Sequence, residues 1–228
     1  MTSPEDIKVL DRVFNMDLLP KSHVNYLNEI SKDIKPKIIY DIGSCVLHWT
    51  RHAKKTWSDS QIICFDAFDD VSKYYDDKFG KFDFHAYVLS DKDDEEKIFY
   101  KNLHHIGGQS LYQENSKFNI HADALFGKNN QVKIKTSKLD TIVERYNLPL
   151  PDLIKMDVQG SELDVIHGGM NTIQQCKDII LELQEVDYNK GAPKSQEAIQ
   201  FMASLGYGLV KAKFSNNRFD ADYHFRKL

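Results

Sequence analysis

The sequence is short of what a secreted, membrane-spanning or metal-stapled protein needs. Its three cysteines, Cys45, Cys64 and Cys176, are odd in number and form no CxxC pair. That pattern argues for reduced, intracellular thiols and against a cysteine-based zinc site. No run approaches the roughly 18–20 apolar residues required to cross a bilayer. The opening segment MTSPEDIKVLDRVF lacks the charged start and apolar centre of a signal peptide. A soluble, cytoplasmic chain is therefore expected. Six prolines and eleven glycines are too few for a long linker or a disordered tail. Positive charge is not in excess either. A net charge of −4 argues against a nucleic-acid partner, although thirty Lys and Arg leave room for a local patch. What remains is 228 residues, 41% hydrophobic and 28% charged, enough for one globular domain with a sizeable core.

Two amphipathic patterns open the chain, Ile7, Leu10, Val13, Phe14 and then Val24, Leu27, Ile30, Ile34. Lys35-Pro36 ends the second. Residues 1–36 read as a helical cap with no chemistry of its own, and residues 37–228 as the main domain. Lys37–Ile42 is a nearly continuous apolar run, the mark of a parallel strand buried on both faces. A helix over Trp49–Trp57, a strand over Ile62–Phe65, a helix over Asp70–Phe79 and a strand over Phe84–Leu89 follow. Residues 93–100 and 131–136 fit short extra strands. Ser137 fits the N-cap of a helix reaching Tyr146. Strands at Asp152–Asp157 and Asp178–Leu183 flank a helix over Ser161–Ile166 and further helical residues near Thr172. A helix over Ser195–Leu205 then leads to a hairpin, Tyr207–Phe214 with Asp222–Leu228, turning at Asn216-Asn217.

Alternating strands and helices imply an α/β fold with a mostly parallel sheet. Five such repeats closed by a C-terminal antiparallel hairpin give seven strands with helices on both faces. That is the order of a Rossmann-like class I methyltransferase fold, whereas a dinucleotide-binding fold ends in parallel strands. In such sheets ligands sit beyond the carboxyl ends of the strands, where strand order reverses. Asp41-Ile42-Gly43-Ser44 ends the first strand, and Gly43 lets the backbone approach a ligand closely. Asp66 ends the second strand, 25 residues after Asp41, where an acid can accept both ribose hydroxyls of a nucleotide cofactor. A lone Asp-x-Gly at a strand end is also a common plain turn. NAD needs G-x-G-x-x-G over its pyrophosphate, and Gly43-Ser44-Cys45-Val46-Leu47-His48 carries one glycine. S-adenosylmethionine (SAM) has no pyrophosphate, so this loop favours SAM.

The segments YDIGSCVLHWT, ICFDAF, VLSD, GGQSLY, SKLDTIV and DLIKMDVQGSELDVIHGG occur in the order of the motifs of the FkbM family of SAM-dependent methyltransferases, and the chain resembles that family from residue 38 to about 184. The resemblance implies methylation of a hydroxyl on a sugar, other glycan or small molecule. It implies that Asp41, Gly43 and Ser44 line the methionine part of SAM, within a loop that includes Cys45. It also implies that Asp66, followed by Ala67, holds the ribose and that Ser90 and Asp91 lie near the adenine. The family's first motif usually reads D-I-G-A-N-x-G, but Cys45 stands at the Asn and Leu47 at the second Gly. The usual Glu-Pro after the second strand is Asp66-Ala67, and the usual Glu before Gly160 is Gln159. Leu47 puts a side chain where the loop turns into the helix, so the pocket's affinity hangs on it.

Methyl transfer needs chiefly positioning, with a base to take the proton of a hydroxyl acceptor. Period-two alternation puts Lys155 and Asp157 on one face of their strand. Asp157 is the candidate base or acceptor-orienting group, and Lys155 the cation that holds it ionised. A structural ion pair is the alternative. Glu182 is the next acid at that edge, too little on its own to predict a metal, and none is expected. His48 and Trp49 follow the cofactor loop, and His48 is a second candidate base; His167 reads as a helix-end residue. Residues 101–130 show the least periodicity and hold His104, His105 and His121, without cysteines for zinc. They fit an acceptor lid, hinged at Gly107-Gly108, with Ser110 and Tyr112 as polar contacts. A non-catalytic binding module on the same fold, an NAD(P)-linked oxidoreductase and a nucleic-acid methyltransferase are the competing readings.

Overall fold

The computed structural model describes residues 3–77, 80–216 and 218–228. Helix α1 (Pro4–Asn15) starts at a capping box: the Ser3 hydroxyl accepts the Asp6 amide, and the Asp6 carboxylate accepts the Ser3 amide. Then come α2 (Lys21–Ile30), β1 (Ile38–Ile42), α3 (His48–Thr56), β2 (Gln61–Asp66) and a 3₁₀ segment over Asp69–Tyr75. A small ribbon, β3 (Asp76–Asp77) with β4 (Gly80–Lys81), precedes β5 (Asp83–Ala86). Beyond it lie β6 (Glu96–Tyr100), a 3₁₀ segment over Leu103–Gly108, α4 (Ala122–Phe126) and β7 (Gln131–Lys135). The remainder is α5 (Leu139–Tyr146), β8 (Leu153–Met156), α6 (Glu162–Gly168), α7 (Met170–Gln175), β9 (Asp178–Gln184), α8 (Ser195–Ser204), β10 (Tyr207–Lys211) and β11 (Asp220–Lys227).

Seven strands form one sheet in the order β10-β11-β9-β8-β1-β2-β5. β11 slips between β9 and β10 and runs antiparallel to both, while the pairs along β9-β8-β1-β2-β5 are parallel. Strand order reverses beside β1, the first strand, which has β2 on one side and β8 on the other. Every central strand reads apolar because both faces are covered. Alternation sends Tyr40, Ile42, Phe65, Ile154, Met156 and Leu181 into one core and Ile39, Ile62, Cys64, Leu153 and Ile180 into the other. Leu10, Tyr26, Leu27 and Ile30 of the cap complete that second core. At about 1.5–3 kcal/mol for each large apolar side chain buried, the cap is part of what holds the sheet.

Three local expectations fail. The helix placed over Asp70–Phe79 is a 3₁₀ segment ending at Tyr75, and Phe79 lies outside the described residues, as does Asn217 of the expected turn. The third strand stops at Ala86, and Tyr87–Leu89 leave the sheet; Leu89 instead bridges to Ser137. Ser137 is thereby taken from α5, whose N-cap is Lys138. Asp93 does the capping from a distance, accepting the Lys138 amide at 2.8 Å and the Thr141 hydroxyl at 2.7 Å. The two extra strands are real but pair only with each other, β6 antiparallel to β7.

Candidate active site

The carboxyl ends of β1, β2 and β8 open into a cleft walled on its far side by the 3₁₀ segment over Leu103–Gly108. Gly43 turns the chain out of β1 at φ +81°, and a Cβ there would fall 1.8 Å from the Asp157 carbonyl oxygen. No other residue fits. The Gly43 and Ser44 amides both donate to the Phe65 carbonyl, at 2.9 and 3.1 Å, which ties the loop to β2. Cys45 follows at φ +48° and Leu47 at φ +67°. These are the positions where the family pattern has Asn and Gly, the residues that tolerate left-handed backbone. The Leu47 side chain points into the core and is fully buried. It does not line the cleft, so it does not fill the pocket.

Asp66 closes this loop from β2. Its two oxygens accept the Cys45 amide at 2.7 Å and the Ala67 amide at 2.8 Å, and Cys45, Asp66 and Ala67 all line the cleft. Burial pushes the Asp66 carboxyl up to about 6, against the pull of those amides. Asp41 stands behind the wall, buried, accepting the Thr50 hydroxyl; burial raises it to about 7. Ser44 also turns inward, its hydroxyl donating to the Phe65 carbonyl at 3.1 Å and lying 2.8 Å from the Tyr75 hydroxyl. Neither Asp41 nor Ser44 is among the cleft-lining residues.

Ser90 and Asp91 are also outside the lining. Lys97 holds them, its ammonium 2.9 Å from the Ser90 hydroxyl and 3.2 Å from the Asp91 carboxylate. The adjacent Tyr87, Val88 and Leu89 form that wall instead. Nothing in the sequence separates them from strand residues, because they continue the apolar run of β5. Phe99, Ile106, Val158 and Ser161 also line the cleft and carry no signal for it in the sequence, and Ser161 among them is polar. Its hydroxyl is buried in the cleft wall with no hydrogen-bond partner among the described residues, an arrangement that leaves a polar atom for a ligand.

At the end of β8, Lys155 is 3% exposed and its ammonium lies 3.5 Å from Asp157. Asp157 lines the cleft with its side chain 36% exposed. The Gln159 amide donates to Asp157 at 2.9 Å and to Glu182 at 2.7 Å, clamping the two acids together. Burial works to raise the Asp157 pKa, but Lys155 and hydrogen bonds from Glu182 and the Gln159 amide outweigh it and hold the group below the ordinary carboxylate range. Glu182 moves the other way, raised by burial and by the Asp157 charge. The two clamped acids are therefore shifted in opposite senses.

His48 is elsewhere. Its Nε2 lies 2.9 Å from the Val13 carbonyl under the cap, and burial lowers its pKa. His104 lies 3.3 Å from Asp6, His105 lies 3.0 Å from Glu114, and His167 contacts the Leu163 carbonyl. In the segment read as a lid, the Ser110 hydroxyl donates to the Gln159 carbonyl at 2.8 Å and the Tyr112 hydroxyl to Asp164 at 2.9 Å. Both are anchors to the protein itself. Gly108 is required by packing, since a Cβ would meet the Glu114 carboxylate and the His105 ring, whereas Gly107 has open space around it and lines the cleft. Among the described residues no cluster of three metal-ligating side chains occurs, and no helix is long and apolar enough to cross a membrane.

A central first strand, sheet order reversing beside it and one reversed strand next to the edge define a Rossmann-like class I methyltransferase fold. A human N-acetylserotonin methyltransferase crystallised with SAM has this fold at 12% identity, with 98% of this chain and 56% of that one covered and a TM-score of 0.52. A magnesium protoporphyrin IX methyltransferase from Synechocystis PCC 6803, also with SAM, is 8% identical with a TM-score of 0.51, covering 100% of this chain and 93% of that one. At such identities the likeness is one of fold. The methyltransferase FkbM domain matches residues 64–209, well over half of the sequence, and the chain belongs to that family. A curated relative, the hexuronic acid methyltransferase AglP of Haloferax volcanii, is 40% identical over 50 residues, 22% of this chain and 21% of the relative. The match thus spans about a fifth of that relative's length.

Proposed function

We propose that the protein is a SAM-dependent O-methyltransferase acting on a hydroxyl of a small molecule or glycan, with a sugar as the favoured acceptor. The observation that carries the reading is the cleft at the reversal of strand order, where Asp66 meets a loop too poor in glycine to cradle a pyrophosphate. The residues present fit the cofactor. The Asp66 oxygens accept the Cys45, Ala67 and Phe68 amides, which leaves a carboxylate lone pair for a ribose hydroxyl. Tyr87, Val88 and Leu89 give the adenine an apolar wall, and the unpartnered Ser161 hydroxyl offers a polar contact. Gly43 brings backbone without a side chain to the cleft beside Cys45.

When bound, SAM supplies an electrophilic methyl group on a sulfonium. Asp157 orients the acceptor hydroxyl and takes its proton as the oxygen attacks. Lys155 keeps Asp157 ionised and ready for that role. Gln159 fixes the carboxylate's angle by donating to it. The sugar preference is supported by the name of the Haloferax volcanii relative.

Calorimetric titration tests the reading. SAM and its demethylated product should bind and NAD should not; no SAM binding at millimolar concentration would leave only a binding module on this fold. Asp157→Ala should hold S-adenosylhomocysteine affinity within a few-fold while abolishing turnover of an acceptor found by screening with labelled SAM. Near-normal turnover in that variant would remove Asp157 from the mechanism.

A further inference from the structure

A chain of buried polar groups runs from the N-terminal cap to the cleft. His23, on α2, is 1% exposed. Its Nε2 accepts the indole N–H of Trp49 at 2.8 Å, so the ring proton sits on Nδ1, which donates to Asp222 Oδ2 at 3.0 Å. The second oxygen, Asp222 Oδ1, is buried with no hydrogen-bond partner among the described residues and lies 3.5 Å from Lys155 Nζ. Lys155 Nζ stands at the same 3.5 Å from Asp157 Oδ2 on the cleft side. With Glu182 and Asp41 acting on it less strongly, one buried ammonium thus stands at equal distance from two carboxylates. Only one of them faces the cleft.

A cation shared between two anions neutralises each only in part, and the low dielectric of a buried site lets the remainder be felt a few ångströms away. We infer that Asp222, held by His23, is a positioning residue for the charge of the cleft: by drawing Lys155 half away from Asp157, it leaves Asp157 with net negative charge toward the ligand. This rests on the SAM reading above, in which the ligand's reacting centre is a sulfonium. The cap then contributes to the site without touching the cleft, through His23 and Asp222.

SAM and S-adenosylhomocysteine differ at the sulfur by a methyl group and one positive charge. The ratio of their affinities therefore reads the field of the site, which a merely structural role for Asp222 would leave alone. Asp222→Asn removes the carboxylate that competes with Asp157 at equal distance, so it should lower the SAM preference by about three- to tenfold while S-adenosylhomocysteine binds within about twofold of wild type. His23→Leu takes the donor from Asp222 Oδ2, so the carboxylate should lean harder on Lys155 and raise the SAM preference. Opposite shifts in the two variants, measured by calorimetry on the full chain, support the inference. Unchanged ratios, or a fall in both, overturn it. If one variant does not fold, the sign of the other decides alone. Wild-type protein that binds neither ligand would sink the cofactor reading, and the inference with it; wild-type binding with unmoved ratios overturns the inference only.

Discussion

At the residue scale the two cleft acids have been prepared in opposite senses. Among the described residues no cation contacts Asp66, and burial raises it to about 6 despite three backbone amides. Asp157 has Lys155 beside it and stays ionised far below neutrality. A carboxylate that holds ribose hydroxyls accepts best when ionised. SAM affinity is therefore expected to be constant above pH 7 and to weaken as pH falls through about 6, as Asp66 takes up a proton; calorimetry from pH 8 to pH 5 would see it. Asp66→Ala should lose about 10- to 100-fold in SAM affinity at pH 7.5, the worth of one or two hydrogen bonds to a charged acceptor. An affinity that ignores both pH and the substitution would contradict the ribose assignment.

At the scale of the element, the turn from β1 into α3 accounts for the family's glycines and for their absence here. Gly43 is fixed by the approach of the Asp157 carbonyl, a contact between two strands that cannot be read from one stretch of sequence. Leu47 adopts φ +67° at a cost that its burial offsets. Leu47→Gly should relieve about 1–2 kcal/mol of left-handed strain and forfeit about 2–5 kcal/mol of buried leucine. A net loss of roughly 2 kcal/mol in denaturant unfolding, with SAM affinity within about twofold, is the expected outcome. A tenfold gain in affinity would mean that Leu47 had been blocking the pocket after all. The strands, their count and the acids at their ends were legible because buried parallel strands are short apolar runs and the acids interrupt them. Which polar residues face the cleft was not legible. Ser44, Ser90 and Asp91 sit in the right segments but turn to Tyr75 and Lys97, and His48 is claimed by the cap. Those partners are 6 to 35 positions away in the chain, a range over which neither periodicity nor motif spacing carries information.

Across the whole molecule, the charges needed near the cleft shape how stability depends on pH. Asp41 and Glu162 are raised to about 7 and Asp66 to about 6, each chiefly by burial. In the unfolded chain these groups titrate near 4. Between the two values the folded state holds protons that the unfolded state does not, so their contribution is complete at low pH and is lost as pH rises through 6 to 7. His105, raised chiefly by its hydrogen bond to Glu114, acts in the same direction; His48, lowered by burial, opposes it in the neutral range. Asp157, Asp178 and Asp93 are lowered and cost stability only on acidification below about 4. The melting temperature should therefore rise by several degrees from pH 8 to pH 6 and fall again below about pH 4. Asp41→Asn, which keeps an acceptor for Thr50 and removes the buried charge, should flatten the upper limb. A melting temperature that climbs steadily from pH 6 to pH 8 would mean that the buried carboxylates are already compensated by groups other than Lys155, and that the site does not carry the surplus negative charge on which cofactor binding and the role of Asp222 both depend.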